Sequence, residues 1–87
     1  MITVQAHLRF SSFNNNDYRI CNSNTAEIIE VGELSHKIVM YILERPRTLN
    51  ELYEFALKYN IGKSDLHGFL DFLQEKAFIS GYKPDED

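Results

Sequence analysis

The sequence predicts an α+β fold: a small antiparallel three-stranded sheet followed by three helices. Two observations predict it. Apolar residues recur every second position up to Val31 and every three or four positions from Leu34 onward. The segments between these runs are short and rich in Asn, Ser, Gly and Pro. With 87 residues there is room for one domain and not for two.

In residues 2–10, Ile2, Val4, Ala6, Leu8 and Phe10 alternate with Thr3, Gln5, His7 and Arg9, the period of a half-buried strand. Residues 11–16 read as a loop. Residues 17–21 form a second strand, Asn22, Ser23, Asn24 and Thr25 a turn, and residues 26–31 a third strand, hairpinned to the second and stopped by Gly32. Leu34, Ile38, Tyr41 and Ile42 share a helical face and predict a helix over 34–44, ended by Pro46. Thr48 and Glu51 have the spacing of a capping box, which opens a helix carrying Leu49, Leu52, Tyr53, Ala56 and Leu57. Asn60 and Gly62 end it. Ser64 is the expected N-cap of a third helix over 65–77, with Asp65 at its positive end. Residues 78–82 suit a short closing strand. The domain is thus expected over 1–82, with 83–87 a flexible acidic tail. Three helices on short turns beside a small sheet suggest a winged helix-turn-helix.

Composition excludes several functions. Hydrophobic residues make up 44% of the chain, which argues against disorder. No apolar run approaches the roughly 18 residues of a membrane span, and no basic segment followed by an apolar block marks a signal peptide. Cys21 is the single cysteine and suits a reducing compartment, so a cytoplasmic location is expected. His7, His36 and His67 fall in three elements with no metal-ligand spacing to one another or to Cys21, and no phosphate-binding glycine loop is present. His7 and His67 read as exposed residues. No catalytic residue, metal or cofactor is expected.

The winged helix raises the alternative of a DNA-binding transcriptional regulator, with the third helix as reader. That helix carries Asp65, Asp71 and Glu75 against Lys76 alone, and the chain has a net charge of −4. Phosphate contacts need Lys and Arg, so nucleic acid is not the expected partner.

Placed at steps of about 100°, Leu66, Leu70, Leu73 and Ala77 centre on a core face. Phe69 lies about 60° and Phe72 about 120° to one side, with Asp65, Gly68 and Lys76 on the same flank. Gly68 would leave a gap beside Phe72. The two phenylalanines therefore either wall a groove or pack beneath the sheet. The third strand has apolar side chains on both faces: Ala26 and Ile28 on one, Ile29 and Val31 on the other. It is either covered on both sides, within the domain or in a homodimer, or it is a sheet edge able to receive an extended peptide as an added strand.

Three stretches carry a family resemblance. They are Ile28-Ile29-Glu30-Val31-Gly32-Glu33-Leu34-Ser35-His36-Lys37-Ile38-Val39, then Pro46-Arg47-Thr48-Leu49-Asn50-Glu51-Leu52, then Phe69-Leu70-Asp71-Phe72-Leu73-Gln74-Glu75-Lys76-Ala77-Phe78-Ile79. In order and spacing they resemble the PqqD-like recognition elements for ribosomally synthesised precursor peptides. Gly32 stands where that family often has asparagine, and Val39 where it has a large apolar residue. The resemblance implies a stand-alone leader-peptide-binding protein, which a natural-looking Met1 suits. The leader would lie along Glu27, Ile28, Ile29, Glu30 and Val31 and pack beside Phe69, Phe72 and Lys76. Lys76 would face an acidic leader residue, and either Ile28 or Ile29 would face the peptide. The implied partners are the precursor leader and a modifying enzyme or leader peptidase, with the domain itself catalysing nothing. A homodimer through the same edge is a further reading.

Overall fold

The computed structural model describes residues 1–4, 7–12, 14 and 16–84. Its elements are β1 (Thr3–Val4), β2 (Leu8–Ser12), β3 (Asp17–Asn22), β4 (Glu27–Gly32), α1 (Glu33–Glu44), α2 (Leu49–Leu57), α3 (Lys63–Glu75) and β5 (Ile79–Ser80). The antiparallel sheet has the order β2-β3-β4, and the three helices follow it.

The expected first strand is two strands. Thr3 and Val4 pair with Ser80 and Ile79 of β5 at the far end of the chain. Leu8–Ser12 pairs with β3, so Ser11 and Ser12 extend a strand and do not begin a loop. Alternation alone identifies extended chain but not its partner, and the two halves have different partners. Ala6 of that pattern, with Gln5, Phe13, Asn15 and the tail residues 85–87, lies outside the described residues. His7 sits in a turn, where its carbonyl accepts from Ser23 Oγ at 2.6 Å.

Pairing across β3 and β4 sets the faces. Tyr18 opposes Val31, Ile20 opposes Ile29, and Asn22 opposes Glu27 on the helix side. Arg19 opposes Glu30 and Cys21 opposes Ile28 on the outer side. Ile20, Ile29 and Val31 join a core with Ile38, Val39 and Ile42 of α1, Leu52 and Ala56 of α2, Leu66, Leu70 and Leu73 of α3, and Phe78 and Ile79. Each of the larger ones, Val, Leu, Ile and Phe, contributes about 1.5–3 kcal/mol by leaving water.

The helix boundaries follow local chemistry. The Thr48–Glu51 capping box is formed on both sides, Thr48 Oγ1 accepting from Glu51 N at 3.2 Å and Glu51 Oε1 from Thr48 N at 2.9 Å. Helix α3 starts earlier than expected. Gly62, not Ser64, is its N-cap, because the Gly62 carbonyl accepts the first helical bond from Leu66 N. It also ends earlier. Ala77 turns to φ +63° and is exposed, while Phe78 N bonds back to the Leu73 carbonyl at 2.8 Å. Ala26 likewise leaves the third strand for the turn, at φ +62°. Gly32 remains in β4 and caps α1, and Leu34 is exposed while Val39 takes the core position.

One residue ties the helices to the N-terminal strand. Arg47 is 3% exposed. Its backbone exchanges two bonds with Ile2, its Nε donates to the Tyr41 carbonyl at 2.8 Å, and its guanidinium stacks 3.6 Å from the Tyr41 ring centre. The guanidinium also meets Glu44 at 2.8 Å and Glu51 at 3.8 Å. Nearby, Gly81 at φ +85° passes so close to the Met1 carbonyl that any Cβ would collide with it.

Candidate functional site

β4 pairs with β3 on one side and with no strand on the other, among the described residues. In an extended strand alternate residues turn their N–H and C=O to opposite edges. Part of the β4 backbone therefore faces outward with no ladder partner. The phase of β4 separates its isoleucines. Ile29 is 7% exposed and turned toward the helices, whereas Ile28 is 59% exposed on the outer sheet face. Glu30 shares that outer face and pairs with Arg19 at 3.3 Å. Val31 is buried with Ile29.

Two contacts anchor the C-terminal end of α3 against the base of the β3–β4 hairpin. Asn22 Nδ2 donates to the Ala77 carbonyl at 2.9 Å, and Lys76 Nζ lies 3.7 Å from Glu27 Oε2. The second contact orients the helix. Phe72 stands one turn before Lys76 on the same flank of α3. Phe72 is 39% exposed and Phe69 is half-buried against the core. A Cβ built on Gly68 meets nothing within 4 Å, so open space stands beside this aromatic pair. The structure thus brings Glu27 and Lys76 into contact, sets Phe72 and Phe69 on the flank above them, and keeps Ile28 and Glu30 on the opposite sheet face. Lys76 and Glu27 both stay partly in water, so their contact is a surface ion pair.

Three residues with large roles were not singled out by the sequence. Asn22 was read as a turn residue, yet it is fully buried and joins hairpin to helix. Its position at the end of an inward-facing series, Tyr18, Ile20, Asn22, was the available signal. Arg47 carries no local signal of burial. His67 is half-buried, not exposed. Its Nε2 lies 2.6 Å from the Tyr53 hydroxyl and its Nδ1 2.6 Å from that of Tyr82, so it joins α2, α3 and the segment after β5. Both tyrosines are distant in sequence from His67, and only the fold assembles the chain.

No described group of three or more His, Cys, Asp or Glu residues is arranged to hold a metal ion. No described helix is long and apolar enough to cross a membrane.

Fold and site together define a class: a small winged-helix-like α+β domain with an unpaired sheet edge beside a helix. No protein-family model matches the chain, and no curated protein matches it. Among solved structures, it is similar to TbiB1 in complex with the TbiA(beta) leader peptide. The TM-score is 0.73 at 15% sequence identity, over 93% of this chain and 98% of that one. Likeness at this identity is likeness of fold, and it extends over nearly the whole of both chains.

Proposed function

We propose that the chain binds the leader peptide of a ribosomally synthesised precursor by adding it as a strand to β4, and presents the precursor to a modifying enzyme or leader peptidase. The observation that carries this reading is the unpaired β4 edge beside the Phe72 flank. It occurs in a fold shared with a protein that is itself in complex with a leader peptide. The backbone of Glu27, Ile28, Ile29, Glu30 and Val31 supplies the hydrogen-bonding edge. Phe69, Phe72 and Lys76 supply the helix side. Main-chain bonds give affinity, and the spacing of side-chain contacts gives register.

Residues 1–82 act as the binding domain and 83–87 as its tail. The domain carries out no bond-making step and needs no cofactor. It works in the cytoplasm by raising the local concentration of the precursor at the partner enzyme.

The test titrates the protein with a fluorescent leader peptide taken from any short precursor gene found beside its own. Saturable binding is expected. Phe72→Ala should weaken it by about tenfold, since an exposed aromatic at the centre of a contact is a typical anchor. Equal affinity in the wild type and the variant would reject the site.

A further inference from the structure

The outer face of α1 differs from that of an ordinary surface helix. Ile38, Val39 and Ile42 bury its inner face. On the opposite side Glu33, Lys37, Met40 and Glu44 follow one another at three- or four-residue steps, with His36 and Tyr41 along the same stripe. Charged residues are expected there; an exposed methionine and two rings are not. The stripe lines an open groove of about 470 Å³ whose remaining lining is Tyr18 of β3, Phe55 of α2 and Tyr59 just beyond it. No lining residue belongs to the β4–α3 site.

The rings are already fixed against one another. His36 stacks on Tyr18 with centroids 3.7 Å apart, Phe55 stacks on Tyr41 at 4.1 Å, and Tyr59 tilts against Phe55 at 5.3 Å. Their hydroxyls are not so engaged. Those of Tyr53 and Tyr82 bond to His67, whereas those of Tyr18, Tyr41 and Tyr59 make no hydrogen bond among the described residues. The lining thus combines apolar ring surface with three hydroxyl donors. It has no open strand edge, since β3 is paired on both sides. A guest must match both features. A helix keeps its carbonyls bonded internally and would leave the hydroxyls without acceptors. A strand would lack a ladder partner. A polyproline II segment has no internal hydrogen bonds, so its carbonyls are free to accept. Its prolines suit aromatic walls, and it is already ordered before it docks.

We infer that this groove docks a proline-rich segment of a partner protein, in the polyproline II conformation, with a Lys or Arg beside its prolines. From Glu33 to Glu44 the helix runs about 16 Å, the length of about five residues of such a segment. The two glutamates mark the ends of the α1 stripe, and both are exposed. Glu33 engages only Oε1, with Lys37 at 3.9 Å, and Glu44 only Oε1, with Arg47 at 2.8 Å. Each end therefore keeps a carboxylate oxygen in water, and charge complementarity asks for a base in the guest. The inference is independent of what β4 binds, and a partner docked here leaves that edge open.

The probe is a phage library of peptides with a fixed Pro-x-x-Pro core and random flanks, selected against the protein. Selected peptides should carry Lys or Arg beside the core, and a synthetic one should bind saturably. Alanine in place of its prolines should weaken binding about tenfold, because the free peptide is then no longer ordered in advance. Its changes in amide chemical shift should fall on α1, Phe55 and Tyr59, and not on β4 or α3. Tyr59→Phe keeps the ring and should bind about threefold more weakly, and Tyr59→Ala about tenfold. Melting temperatures of both variants close to that of the wild type exclude misfolding as the cause. Leader affinity at β4 should be the same in all three proteins, so the two readings fail separately. A library with no saturable binder, a binder indifferent to alanine for proline, shift changes along β4 and α3, or equal affinity for the wild type and both Tyr59 variants would overturn the inference.

Discussion

The joint around Arg47 and the edge along β4 treat polar groups in opposite ways. At the joint a guanidinium is buried and bonded to a carbonyl, two carboxylates and an aromatic face, while the adjacent backbone closes a two-bond bridge to Ile2. Along β4 part of the backbone has no ladder partner among the described residues, and on α3 the Phe72 ring stands partly in water. The first region has satisfied its bonding capacity internally, so it contributes stability and has little left for a ligand. The second retains that capacity on the surface. Stability and binding are therefore expected to respond to different substitutions.

The comparison is broken most severely at the joint. Arg47→Ala removes a charged hydrogen bond to the Tyr41 carbonyl, a stacked contact and buried packing. A loss of about 3 kcal/mol in urea unfolding is expected. The Glu44 pair adds little, because its carboxylate is largely exposed. A loss below about 1 kcal/mol would mean the joint does not hold the fold. Thr48→Ala removes one side of the capping box and should cost about 1 kcal/mol, read as a lower urea midpoint at unchanged slope. Phe72→Ala sharpens the contrast from the other side. Its stability cost should stay within about 0.5–1 kcal/mol while peptide affinity falls, because the ring is partly in water already.

The smallest effect is a pH dependence at His36. Burial first, and then the Lys37 charge, lower its pKa from the usual imidazole value. The ring stacks on Tyr18 at 3.7 Å. Between the lowered folded value and the ordinary unfolded one, the unfolded chain binds more protons. Stability is thus full above about pH 6.5 and declines as the pH falls through the folded pKa. His36→Phe should flatten that part of the stability profile. An unchanged slope would assign it to other groups.

Local chemistry was legible in the sequence, and pairing over distance was not. The capping box at Thr48 and Glu51 needs only neighbours and formed as read. The core positions Leu66, Leu70 and Leu73 followed from helical period. The strand over residues 2–10 was misjudged as one element because β1 finds its partner in β5, near the other terminus. Arg47 and His67 were missed for the same reason: their partners come together only in the folded chain. At the candidate site, the projection placed Phe72 on the rim of the helix. Which of Ile28 and Ile29 is buried needed the β3–β4 register. The occupancy of Lys76 by Glu27 needed the docking of α3 on the hairpin.

The claim that a guest peptide pairs with β4 has a direct readout in amide hydrogen exchange of the full-length protein with and without bound peptide. Alternate amides between Glu27 and Gly32 should gain protection on binding, while those of β2, at the opposite edge of the same sheet, stay as they were. Protection appearing along β2 or across α1 and α2, with β4 unchanged, would contradict it.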